Sequence, residues 1–426
     1  MDAYIFIIVL CVVIIISFFI NILAKRTNVP SVLMLILMGI IINQILLYLD
    51  IVPDFFSSLE ILGIVGLIII VLEAALDLEL KRENRPLIWK SFTIASLSLA
   101  LTSFALAFLL RFYIPGASFL QAFVYAMPLS IMSSAIIIPS VGNLVKYKKE
   151  FLIYEGTFSD ILGIMVFYMI IENTEVEGMR QLSLAVVGNI LLTLTVSVVL
   201  SYVLLYILQN IKGEAKFFLF LAVLILLYSV GKLFHLSSLI IILMFGLLLR
   251  NHKRLLFWKL EKWLRDDRMD QLYEQFKMIT IETSFVVRTF FFVVFGMTIP
   301  LSSLLSPGVW IVSLVFLVVI FVLRMLLFKA VERKDILPQA LISPRGLITI
   351  LLFFAIPDTL KIENFENGIL FLVIIATSII MAWALITYGK NNGPGETGNG
   401  DSPEGSVPEV IGTQTTPVTD TQSLTK

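Results

Sequence analysis

Phe151-Leu-Ile-Tyr-Glu155-Gly-Thr-Phe-Ser159-Asp160-Ile-Leu-Gly-Ile-Met165-Val-Phe-Tyr-Met-Ile-Ile171 is an apolar run with a carboxylate near its middle. A run of about 20 mostly apolar residues crosses a bilayer as a helix. An ionisable group at that depth costs roughly 2.5 to 3.5 kcal/mol even on permissive scales, so it persists only where it is paired, hydrated or at work. Asp160 therefore reads as an ion or proton site.

Runs of the same kind fill most of the chain. Hydrophobic residues make up 58% of the sequence and charged residues 15%, and mean hydropathy is +0.98, which sets the class as an all-α polytopic membrane protein. We count about thirteen candidate spans by length. They place one transmembrane domain over 1–388 and leave a polar tail over 389–426. The tail is rich in Gly, Pro, Ser and Thr with few large apolar residues to bury, which predicts disorder. Asp2 stands where a secretion signal would carry basic residues, so Ala3 to Leu23 reads as a retained first span.

Lys and Arg fall in every second connection: Lys25 and Arg26, Lys81 to Arg85, Lys146 to Lys149, Lys212 and Lys216, the loop from Arg250 to Lys277, and Arg333 with Lys334. The intervening connections carry Asp50 and Asp54, or Glu172, Glu175 and Glu177. Cytoplasmic loops hold the basic excess, so the N-terminus is expected outside and the C-terminus inside. The stretch around Trp258, Trp263 and Arg265 reads as an amphipathic helix along the cytoplasmic face or as a linker helix between two halves. Cys11 is the single cysteine, and His235 and His252 are too few and too scattered for a metal centre. No nucleophile motif or phosphate loop is present either, so the chain reads as a non-enzyme without a cofactor and without a nucleic-acid partner.

Within the spans the charges reduce to Glu73, Glu155, Asp160, Glu282, Arg288, Arg324 and Arg345. Two spans also carry helix breakers at mid-depth. Span 5 has Ser133-Ser134-Ala135 between Pro128 and Pro139, and span 12 has Ser343-Pro344-Arg345-Gly346. Proline removes a backbone donor and clashes with the preceding turn, so both helices are expected to unwind there. Unwound backbone inside a membrane faces a cavity or buried protein, which is how transporters form midplane ion sites. The two spans are an odd number apart, so they cross in opposite directions. The prediction is an inverted repeat with two crossed discontinuous helices.

Taken together these stretches resemble the monovalent cation/proton antiporter superfamily, in particular its sodium/proton exchanger branch. Glu155-Gly-Thr-Phe-Ser159-Asp160 is similar to the branch's Glu-Ser-Leu-Leu-Asn-Asp motif, and Pro344-Arg345-Gly346-Leu347-Ile348 to its Arg-Gly motif. Leu72-Glu73-Ala74-Ala75-Leu76-Asp77-Leu78 resembles the end of its third helix, and Phe291 to Gly296 its tenth. The resemblance implies that Asp160 binds a monovalent metal cation and a proton alternately. Ser159, Ser133 and Ser134 would stand beside it, and Glu155 would form a structural ion pair with Arg345. It also implies a homodimer in a lipid bilayer, a plasma or bacterial inner membrane.

The chain departs from the branch pattern in span 5, where Ser133-Ser134-Ala135 is closer to the Ser-Ser-Thr-Ala run of the potassium-efflux branch, and at Ser159, which replaces the usual Asn or Asp. Na+, Li+ and K+ are all open as the exchanged ion. With serine unable to load a second proton, one H+ per cation and electroneutral exchange are expected. Arg288 reads either as a transient partner of Asp160 or as a structural partner of Glu73; the 282–288 spacing puts Glu282 on roughly the opposite helix face. Arg324 reads as snorkelling to the end of span 11. A K+/H+ antiporter and a sodium-coupled organic-anion symporter of similar architecture are the alternative functions.

Overall fold

The computed structural model of the chain describes residues 3–27, 30–48, 56–80, 83–172, 179–210, 216–233, 238–255, 266–299, 306–332, 336–362 and 365–389. The tail and the expected amphipathic helix around Trp258, Trp263 and Arg265 lie outside the described residues. Within them all regular structure is helical, as a bilayer demands of a chain that must satisfy its backbone internally.

The first helices are α1 (Ala3–Thr27), α2 (Ser31–Tyr48), α3 (Phe56–Asp77) and α4 (Arg85–Tyr113). The broken span follows as α5 (Phe119–Ser130) and α6 (Ser134–Ser140), then α7 (Lys146–Glu172), α8 (Met179–Asn210) and α9 (Lys216–Leu233). Next come α10 (Ser238–Arg250), the single turn α11 (His252–Leu255), α12 (Asp266–Thr298) and α13 (Pro307–Glu332). The second broken span is a 3-10 turn (Gln339–Leu341), an extended stretch and α14 (Leu347–Phe354), and α15 (Asn367–Gly389) ends the bundle. Among the described residues, 7 helical stretches, the first broken span counted as one, are long and apolar enough to cross a membrane.

The first interruption falls between Pro128 and Pro139, which lie inside the flanking helices α5 and α6, and the second holds Pro344. Ser118 starts α5 with a reciprocal cap, its hydroxyl accepting the Gln121 N–H at 3.1 Å while its own N–H donates to Gln121 Oε1 at 2.9 Å. The helix stops at Ser130, and Ile131 and Ser133 are extended (ψ 132° and 111°) before α6 begins. In the second broken span the chain is extended from Ile342 and Gly346 precedes α14.

The packing has a two-fold pattern. α2 packs on α12, and α10 on α3; α4 packs on α7, and α13 on α15; α3 meets α12, and α4 meets α13. Shifting along the repeat exchanges the members of each pair. Glycines mark the closest crossings at related places. A methyl on Gly39 of α2 would strike the Val293 carbonyl oxygen of α12, and one on Gly296 would strike the Ile36 carbonyl. In the related crossing, a methyl on Gly246 of α10 would lie 2.5 Å from Ala75 Cβ and 3.4 Å from the Leu72 carbonyl of α3. Contacts are dense within α4–α7 with α13–α15, dense within α1–α3 with α8–α12, and sparse between these two groups. α6, α7 and α14 face α3 and α10 across that sparse seam, and the predicted site residues lie on it.

Candidate functional site

The unwound stretch of the first broken span lies against the face of α7 that carries Asp160. Two glycines make room for it. A Cβ on Gly156 would come within 3.3 Å of Ser134 Cα, and one on Gly163 would collide with the Ile131 side chain. The chain between α5 and α6 has lost its helical partners, so its N–H groups need others. Met132 N–H donates to Ser159 Oγ at 2.9 Å, Ser133 N–H to the Pro344 carbonyl at 2.9 Å, and Ser134 N–H to Asp160 Oδ2 at 2.9 Å. The middle bond ties the two broken spans together. On the other side of the crossing, a Cβ on Gly346 would stand 2.6 Å from Ile136 Cδ1 and 2.9 Å from Ser133 Oγ, so a larger residue there would push both side chains aside.

Asp160 is 1% exposed and has no basic side chain bonded to it among the described residues. Its second oxygen, Oδ1, and the hydroxyl of Ser133, also 1% exposed, have no hydrogen-bond partner among the described residues. Buried polar atoms are almost always paired, so these two oxygens are open to a water, a proton or an ion. The structure thus brings together Asp160, Ser159, Ser133 and Ser134, with Ser159 occupied in holding the Met132 N–H.

Glu155 and Arg345 are both buried, at 1% each, but they do not form the expected pair. Glu155 pairs with Arg324, whose Nη1 and Nη2 donate to Oε1 at 2.5 Å and Oε2 at 2.9 Å, and Nη2 also donates to the carbonyls of Gln339 and Ile342 at 3.0 Å each. Arg345 has different work. Its Nε donates to the Leu129 carbonyl at 2.8 Å, Nη2 to the Ser130 carbonyl at 3.4 Å, and Nη1 to Ser343 Oγ at 2.5 Å and its carbonyl at 2.6 Å. Leu129 and Ser130 close α5, whose last carbonyls lack intrahelical donors and carry the negative end of the helix dipole. A cation is therefore best placed there, and a second one is left to neutralise Glu155.

The snorkelling expected of Arg324 is also corrected, since that residue is 2% exposed. A signal for this exists in the sequence. Val312, Phe316, Ile320, Arg324 and Phe328 recur at every fourth position of α13 and all are buried, so Arg324 belongs to the inward stripe.

Arg288 takes the structural alternative. Its Nη2 lies 3.1 Å from Glu73 Oε1, while the Ser284 hydroxyl donates to Glu73 Oε2. Glu282 is exposed and takes no part in the pair or in the Asp160 site. Glu73 and Arg288 line a cavity of about 250 Å³ between α1, α2, α3, α6 and α12. It runs from Asn21, Ser31 and Asp77 to Ser134 and Ala135, and a smaller, apolar pocket over Asp160 shares its wall residues Ile70 and Ala74. His252 is buried with Nδ1 3.0 Å from the Leu249 carbonyl, Cys11 is a free thiol, and His235 lies outside the described residues. No group of His, Cys, Asp or Glu among the described residues could hold a metal as a cluster.

Residues 12–387 match the family described as the transmembrane sodium/hydrogen exchanger. The chain belongs to that family. The sodium proton antiporter MjNhaP1 from Methanocaldococcus jannaschii, solved at pH 8, has the same fold, with a TM-score of 0.68 at 19% identity over 92% of this chain and 100% of that one. An electron-microscopy structure of the same antiporter gives a TM-score of 0.62 at 19% identity, covering 92% and 96%. A search of curated proteins by sequence finds no match. As a member of the exchanger family the chain is a multi-pass membrane antiporter of cations and protons rather than an enzyme, and its ions are substrates, with no cofactor needed.

Proposed function

We propose that this exchanger carries one monovalent cation against one proton by alternating access, with Asp160 as the shared carboxylate. The observation that carries the reading is the unpartnered Oδ1 of buried Asp160, whose Oδ2 accepts the Ser134 N–H in the unwound stretch that also holds the unpartnered hydroxyl of Ser133 and bonds to the second broken span. Oxygen ligands of this kind suit a small hard cation, as they do calcium and magnesium. Protonated or cation-bound, Asp160 is locally neutral and can be moved between access states; empty, it carries a buried charge that resists movement. Proton and cation thus compete for one group, and only loaded forms cross.

Ser133 supplies a neutral oxygen, and Ser134 fixes the carboxylate through its N–H. Ser159 keeps the unwound chain in register. Glu155 with Arg324, and Arg345 on the end of α5, are structural supports. Na+ is the first ion to test and Li+ and K+ follow, since Ser133-Ser134-Ala135 resembles the potassium-efflux run. With the basic loops inside, the polar cavity reaches Ser134 from the cytoplasmic face, giving an inward-facing state of a protein whose N-terminus is outside. A homodimer in a plasma or bacterial inner membrane completes the reading.

The test is cation-driven pH change in proteoliposomes. Asp160→Asn should reduce exchange at least about 100-fold, the loss expected when an ionisable transport group becomes a permanent neutral. Exchange at the native rate in that variant removes the proposal. In the same vesicles, exchange should generate no current that reverses with imposed potential; such a current would mean unequal charges move.

A further inference from the structure

The polar cavity beside the crossing is lined by two acids, Glu73 and Asp77, each facing a base, while Asp160 lines the smaller pocket that shares its wall. Glu73 faces Arg288 at 3.1 Å, and Asp77 faces Lys277 at 3.2 Å. Glu73 is held more fully than an exposed pair would be. One carboxylate oxygen accepts from Arg288 and the other from Ser284, while Arg288 Nε reaches back to the Ser284 carbonyl at 3.3 Å. The side chains are 15% and 21% exposed, so solvent screens the pair little. Glu73 is thereby fastened to α12, although it sits on α3 one residue from Ala74, which lines both the cavity and the pocket over Asp160.

We infer that Arg288 is the residue that sets ion valence: by neutralising Glu73 it leaves a single free carboxylate on the cation's route and keeps divalent cations out. The inference rests on the antiport reading. Hard divalent cations gather several carboxylate oxygens, whereas one carboxylate with hydroxyl and water oxygens is enough for a monovalent ion. Each uncompensated charge along the cavity attracts a divalent ion twice as strongly as a monovalent one at the same distance. An unpaired Glu73 would therefore favour the wrong substrate. Arg288 is a positioning residue in this scheme, acting through Glu73 and not on the cation.

The experiment measures Na+-driven proton movement in proteoliposomes while Ca2+ is titrated as an inhibitor. For Arg288→Gln the Ca2+ concentration giving half inhibition should fall about tenfold, the order expected from one added charge at short range in a partly screened cavity. Arg288→Lys should keep the native value, and Glu73→Gln with Arg288→Gln should return to it. Unchanged Ca2+ inhibition in Arg288→Gln overturns the inference, and so does a double variant as sensitive to Ca2+ as Arg288→Gln alone.

If Arg288→Gln does not fold, Glu73→Gln decides. It leaves an unpaired guanidinium facing the cavity, so the KM for Na+ should rise about tenfold with kcat changed less than about twofold. A native KM in that variant overturns the inference. Failure of the antiport reading looks different: the unsubstituted chain would then show no proton movement with Na+, Li+ or K+.

Discussion

At the scale of single residues, three buried arginine and acid groups have separate tasks that their chemistry explains. Asp160 has no basic side chain bonded to it among the described residues, which fits the ligand exchange proposed for it, since a permanent ion pair could not exchange ligands. Arg345 spends its whole guanidinium on Leu129, Ser130 and Ser343, since a helix end buried at mid-depth would otherwise expose carbonyls to hydrocarbon. Arg324 closes on Glu155 with two parallel bonds. Removing one member of such a buried pair strands the other, at a cost of about 3 to 5 kcal/mol. Arg324→Ala should therefore lower the unfolding temperature in detergent, and Glu155→Gln with Arg324→Met should recover part of the loss. Recovery stays partial because Arg324 also holds the Gln339 and Ile342 carbonyls. A single Arg324→Ala variant as heat-stable as the parent would contradict this account.

The same scale shows what could be read beforehand. Asp160 was legible because one carboxylate in an apolar run has few explanations. The partner of Glu155 was not, because two arginines in different spans are equivalent candidates until packing sets their distances. The fourfold spacing of Phe316, Ile320, Arg324 and Phe328 pointed inward, but a position near a helix end is equally compatible with a side chain that reaches the interface.

Among elements, the glycine crossings are the features most sensitive to substitution. Gly39 meets backbone of α12, which cannot yield, whereas Gly246 meets first the Ala75 side chain. Gly39→Ala should thus destabilise more than Gly246→Ala, the former by about 2 to 3 kcal/mol as overpacking commonly does. Ala75→Gly should relieve Gly246→Ala and leave Gly39→Ala unchanged. Thermal unfolding of the four purified variants checks the order, and equal losses at the two crossings would refute it. The breaks in spans 5 and 12 were legible from Pro128, Pro139 and Pro344. The exact unwound residues were not, for they depend on where Ser159, Asp160 and the Pro344 carbonyl can receive the freed N–H groups.

For the whole molecule, the cavity lined by Ser134 and Ala135 is the access side in the function proposed above. Cys11 is the single thiol, so Cys11→Ser gives a blank background. In that background Ala135→Cys should react with a membrane-impermeant thiol reagent from the cytoplasmic side, and Na+ or proton loading should change the rate. Labelling confined to the outer side would reverse the orientation given by the basic loops.

The sequence by itself determined the all-helical membrane class and the two interruptions, and it singled out Asp160 as the candidate carboxylate. All of these follow from local patterning, because hydrocarbon penalises polar groups wherever the rest of the chain lies. Tertiary structure alone decided who pairs with whom: Arg324 with Glu155, Arg345 with the end of α5, Arg288 with Glu73, and Ser133 with Pro344. Those partners are far apart along the chain, and their energies depend on distances of a few ångströms that only the packing of the helices sets.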